Sequence, residues 1–188
     1  MARFNDRCEF HVVLGGMVTG ELEAPIGKKA DYILNALPRL EQVTGVKMGE
    51  PFKASLREGT QWSSSVMPSK AVIAFRTLMP EKAIEFLFAV QQAHFQEGAD
   101  LNNPAIYPPI AASLGLDEEL FTLLLAEDRL NTLTEEDFGI VAQWGINGFP
   151  CLAAEVGTRF YGIAHGYRNA NELEMLFDGV MQVDPTSA

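Results

Sequence analysis

Cysteine, histidine and carboxylate side chains are the groups in this chain that could carry chemistry, and their spacing limits what each can do. The two cysteines, Cys8 and Cys151, lie far apart and form no CxxC pair. A reactive thiol needs its pKa lowered by a helix N-terminus or a nearby cation. Cys8 sits in the charged stretch MARFNDRCE, which reads as exposed, and Cys151 sits in an apolar run. There a free cysteine acts as a small buried hydrophobe; the competing reading makes Cys151 a thiol that pairs with Cys8 or with a partner. The histidines, His11, His94 and His165, lack partners at metal-ligand spacing. His94 and Glu97 form one i, i+3 pair, and one such pair is too few for a metal site. His165, in AHGYR, reads as a residue near a turn that satisfies local backbone groups. The carboxylates of DEEL and TEED read as first-turn helix charges. Gly15-Gly16 lacks the rest of a phosphate-binding pattern. Arg168 reads as a helix-entry ion pair, and Trp62 and Trp144 as core or pocket-rim residues. Neither a metal nor a cofactor is expected.

One stretch remains, WGINGFPCL at 144–152. It places Pro150 at the mouth of an apolar run, and a proline has no N–H for a ladder, so it belongs at a strand's first residue, an edge or a bulge.

The elements that would position these residues follow from periodicity. EFHVVL at 9–14 reads as a strand stopped by Gly15-Gly16. From about 28 to 145 the pattern is helical. Pro38 within KKADYILNALPRLEQVTG predicts a kink or a break into two helices. PSKAVIAFRTL starts near Pro68, and PEKAIEFLFAVQQAHFQEG carries Phe86, Val90 and Ala93 on one face, widened by Leu87 and Phe95. Asp117 is the expected N-cap of DEELFTLLLAE, and Thr134 with Asp137 is expected to form a capping box opening TEEDFGIVAQWG. FPCLAAEV and RFYGIAHG, joined across Gly157-Thr158, read as a hairpin. NANELEMLFDGVMQ closes as an amphipathic helix with Leu173, Leu176, Phe177 and Val180 on one side, followed by the polar tail VDPTSA. The expected architecture is α/β, with strands from both ends of the chain meeting in one sheet and helices inserted between them.

Composition agrees with a folded domain. The chain has 188 residues, 47% of them apolar and 21% charged. Its formal net charge of −11 and scattered basic residues argue against nucleic acid or an anionic membrane as partner. No stretch is long and apolar enough for a membrane span, and the polar start does not read as a signal peptide. A cytoplasmic location is expected.

Several segments in order, VVLGGMV at 12–18, PEKAIEFLFAVQQAHFQEGADL at 80–101, LGLDEELF at 114–121 and WGINGFPCL at 144–152, make the chain resemble the DsbA-like thioredoxin-fold family, in its protein-disulfide isomerase branch. The resemblance implies a thioredoxin-like sheet made from residues 1–27 and 142–188, with 28–141 as a helical insertion. It also implies that Pro150 follows a cis bond, and that Gly148, Phe149 and Pro150 dock an extended or disulfide-containing polypeptide. Family members carry a first strand and a CxxC at a helix N-terminus before the strand matching FHVVLGG. Only MARFNDRCE stands there, so on the order of 25 residues of typical elements are missing. Three readings account for this: a shortened chain, a natural non-redox relative, or a likeness that fails at the N-terminus.

The function implied by resemblance is thiol–disulfide exchange, with no catalytic residue in the chain as given and hence no dithiol turnover. The alternatives are a non-redox thioredoxin-fold module that binds peptides or a partner, and a kappa-like glutathione-dependent isomerase or transferase. The last needs an N-terminal Ser or Cys that this chain lacks. A lost central strand would leave unpaired edges, so a homodimer or strand-swapped oligomer is expected.

Overall fold

The structure, a computed structural model, describes Phe4 and residues 7–182. The polar tail after 182 lies outside them. Helices dominate: α1 Ala30–Thr44, α2 Glu50–Glu58, α3 Val66–Leu78, α4 Ala83–Phe95, α5 Tyr107–Ser113, α6 Glu118–Leu125, α7 Arg129–Gln143 and α8 Ala170–Met181. Two small antiparallel sheets accompany them. One pairs β1 (Ala24–Pro25) with β2 (Trp62–Ser63); the other pairs β3 (Cys151–Val156) with β4 (Arg159–His165).

Local signals account for most element ends. The Asp117 side chain accepts from the Leu120 amide and caps α6 as expected. Asn169 and Glu172 form a full capping box at α8. Helix α1 runs without interruption through Pro38 and stops at Gly45, so the expected break does not occur. The hairpin turns at Gly157-Thr158, with a register shift between Leu152 and Ala153.

The largest core is helical. Helix α3 packs against α4, α6 and α7, and its Phe75 ring stacks on Phe86 of α4 at 4.3 Å between centroids. Phe121 of α6 lies 5.7 Å from Phe86. Tyr107 is sealed beside them, and its hydroxyl donates to the Leu101 carbonyl. Each such ring contributes about 1.5–3 kcal/mol through burial. A second cluster joins α1 and α2 through Leu37, Phe52 and Leu56. A third joins β4 and α8 through Ile163, Ala164 and Phe177, with Phe4, Phe10 and Leu152 packed in. Leu176, expected on the buried side of α8, is instead exposed.

Residues 9–14 correct the expected strand. They form no ladder, and the hairpin stands as its own two-stranded sheet. Burial along the segment still alternates with period two: residues 8, 10, 12 and 14 are half-buried and 9, 11 and 13 exposed. The side chains therefore obey a strand pattern, but no described residue lies alongside to complete the ladder. Side chains hold the segment instead. The expected capping box turns out to be part of that grip. Thr134 and Asp137 lie inside α7, which begins at Arg129, and the Thr134 hydroxyl donates to the Leu130 carbonyl.

Candidate functional site

Asp137 is buried, and both its oxygens are used. Arg76 of α3 donates to them through Nη1 and Nη2, each at 3.0 Å, in a bidentate fork. The Leu14 amide donates to Asp137 Oδ2 at 2.9 Å, and Arg76 also donates to the Val12 carbonyl. Two side chains thus hold the backbone of 12–14 where a neighbouring strand would have done so. The signal for this clasp is a single arginine inside the apolar run AVIAFRTL; sequence reasoning passed over it.

The clasp delivers Gly15 and Gly16 to a fixed place. A methyl group at Gly15 would lie 1.9 Å from the Phe149 Cζ, so the ring of Phe149 rests where any larger residue would stand. Gly16 has φ of +58° and lies against the Phe138 ring, a combination open to glycine.

On the facing side, α7 ends and the chain turns through Gly145 toward Gly148, Phe149 and Pro150. The Phe149–Pro150 bond is cis. The Pro150 carbonyl accepts from the Gly166 amide at 2.8 Å, which ties this corner to the end of β4. The backbone N–H and C=O groups of Gly148 and Phe149 have no partner among the described residues. Phe149 borders a cavity of about 240 Å³, also lined by Gly15, Gly16, Ser64, Ser65 and Ser69.

Cys151 begins β3 directly beside this corner, opposite His165 in register, with Sγ 3.9 Å from Nε2. His165 is thus the last residue of β4, in side-chain contact with a thiol, and not a turn residue bonded to backbone as expected. Burial pushes the Cys151 thiol above the usual range, which keeps it protonated and weakly nucleophilic at neutral pH. Cys8 is half-buried against the third cluster, contrary to the exposed position expected, with Sγ 3.7 Å from the Phe4 carbonyl.

The other candidates scatter. His94 packs between Phe52 and Phe95, and Nδ1 lies 2.9 Å from the Ala99 carbonyl; burial lowers its pKa. His11 is exposed beside Glu9. Arg168 donates to the Tyr167 carbonyl in place of the expected ion pair. Trp62 borders a smaller cavity of about 60 Å³, and Trp144 lies against Phe160. Among the described residues no three of His, Cys, Asp and Glu converge as a metal site. No helix among them is long and apolar enough to cross a membrane.

No family model matches the chain, and a search of curated proteins finds no match. Solved structures do match. A candidate protein disulfide isomerase from Nitrosomonas europaea is 30% identical with a TM-score of 0.75, over 89% of this chain and 79% of that one. The cytosolic disulfide reductase DsbM from Pseudomonas aeruginosa is 24% identical with a TM-score of 0.73, over 90% of this chain and 82% of that one. Its structure with GSH gives 23% and 0.71 over the same shares. The DsbM likenesses speak for fold alone. The Nitrosomonas likeness reaches further in identity, 30% over more than two thirds of each chain, and the chain belongs to the DsbA-like thioredoxin-fold family.

Proposed function

We propose that this chain docks an extended cysteine- or disulfide-containing polypeptide along Gly148, Phe149 and Pro150. The overall type is that of a thiol–disulfide oxidoreductase. The observation that carries the reading is the set of open backbone groups at Gly148 and Phe149, set at the rim of a cavity. Backbone groups without partners take up an incoming main chain by strand-like hydrogen bonding. The names of the related structures support disulfide chemistry as the setting, and GSH bound to DsbM supports small thiol peptides as ligands of the same class.

With two cysteines in no CxxC pair, the chain as given supplies docking without dithiol exchange. The division into a thioredoxin-like part, 1–27 with 142–188, and an inserted helical part, 28–141, belongs to this proposal. So do the cytoplasmic location and self-association through open strand edges.

Titration calorimetry with S-methylated cysteine peptides tests the docking step. The expected result is saturable binding that Phe149→Ala weakens roughly tenfold, with thermal stability nearly unchanged because the ring is part-exposed. Absence of any peptide binding overturns the proposal. Insulin reduction at an enzyme-like rate by this chain would overturn the non-redox half.

A further inference from the structure

Among the described residues four polar or charged ones are buried: Ser55, Ser69, Thr134 and Asp137. Three have evident partners. The Ser55 hydroxyl donates to the Phe52 carbonyl, Thr134 to the Leu130 carbonyl, and Asp137 joins the clasp. Ser69 differs. It is 5% exposed, its hydroxyl has no hydrogen-bond partner among the described residues, and it lines the 240 Å³ cavity beside Phe149. No side-chain oxygen or nitrogen sealed from solvent lacks a partner among the described residues, so this hydroxyl keeps its small exposure toward the cavity. A hydroxyl set this deep with no partner in the protein is open to whatever fills the cavity, water or a ligand.

The surroundings indicate what that is. Ser69 lies in the first turn of α3, where the helix dipole favours negative charge and no acidic residue stands. Gly15, Gly16 and Met17 also line the cavity, and their amides have no acceptor among the described residues. The other two serines are engaged. Ser65 Oγ accepts from the Val18 amide at 2.9 Å, and Ser64 Oγ donates to Glu23 at 2.9 Å. Glu23 is the nearby opposing charge, and the Trp62 indole N–H also donates to it at 3.4 Å. Open donors therefore gather at the cavity, the Ser69 hydroxyl and these three amides, alongside the open Phe149 carbonyl, and at the acid-free start of α3 they suit an acceptor that bears negative charge.

We propose that this cavity is a subsite for a carboxylate of the docked peptide, an acidic side chain near its cysteine, with the Ser69 hydroxyl as its buried donor. The inference rests on the docking reading above. The chain's net charge of −11 repels acidic ligands at long range. A preference for an acidic peptide can then arise only from local donors.

The test uses S-methylated cysteine pentapeptides in which Glu is moved through each flanking position, and a matching set with Gln, by titration calorimetry. In one register the Glu peptide should bind roughly tenfold more tightly than its Gln partner, as expected for a bond to a charged group. Ser69→Ala should erase that preference and leave the Gln peptide's affinity unchanged, and Ser69→Thr should restore part of it. Equal binding of Glu and Gln peptides in every register overturns the subsite and leaves the docking reading standing. Equal weakening of both sets by Ser69→Ala also overturns it. If neither set binds, both readings fall.

Discussion

Phe86 and Phe177 both sit on amphipathic helices and both anchor a cluster, but their surroundings differ. Phe86 is fully sealed, stacked on Phe75 and flanked by Phe121, inside a core drawn from α3, α4, α5 and α6. Phe177 keeps 7% of its surface open, meets Phe4 edge-on at 5.2 Å, and packs on one hairpin. A two-stranded hairpin is marginal by itself and needs a helix against it. The helical region thus closes its own core, whereas the hairpin region depends on α8 and on a segment that has no ladder. The helical region thus carries the hairpin region, and the corner at Gly148, Phe149 and Pro150 lies at their junction.

The largest expected effect separates the two regions directly. Phe86→Ala should cost about 3–5 kcal/mol in denaturant unfolding, since a sealed cavity cannot collapse. Phe177→Ala should cost nearer to about 2 kcal/mol, because the rim of its cluster can relax. Hydrogen exchange should then rise throughout the chain for the first and mainly in β3, β4 and α8 for the second. Equal costs would break the comparison.

Next comes the clasp that joins the regions. Asp137→Ala leaves Arg76 without its carboxylate and the Leu14 amide without its acceptor, a loss of about 3 kcal/mol for a largely buried pair. Exchange at Val12, Val13 and Leu14 should rise well before that of the α4 amides. Unchanged protection of 12–14 would mean that apolar packing alone holds the segment.

The smallest effect is a pH dependence located in the helical region. His94 has its pKa lowered by burial, with the Ala99 carbonyl opposing that shift. The unfolded chain therefore binds the proton more readily than the folded one as pH falls through about 6.5. This contribution to stability is present above that pH and is lost on acidification toward the lower folded value. His94→Gln should flatten the slope of stability against pH between about 7 and 5. An unaltered slope would assign the acid sensitivity elsewhere.

Much of the helical region was legible because its signals are local. Asp117 as a cap, Gly45 as a stop and the Phe86–Val90 stripe each act within a turn or two of their own sequence. The hairpin was legible for the same reason, from two β-type runs and a Gly-Thr turn. The cis bond between Phe149 and Pro150 was legible only through family likeness. Thr134 and Asp137 show where local reading fails. Their spacing matches a capping box, yet α7 starts five residues before Thr134, and a partner 61 residues away claims Asp137.

By itself the sequence determined which faces are apolar, where helices stop, and that residues 9–14 form a β-type run, because these depend on the intrinsic geometry of a short piece of chain. Only the tertiary structure decided that this alternating segment would be clasped by Arg76 and Asp137 in place of a ladder, that Phe149 would rest on Gly15, and that Ser69 would keep an unused hydroxyl at a cavity. Each of these is a meeting of residues remote in sequence. Which groups meet, and which are left without a partner, follows from how the packed elements share space, and no local pattern encodes that.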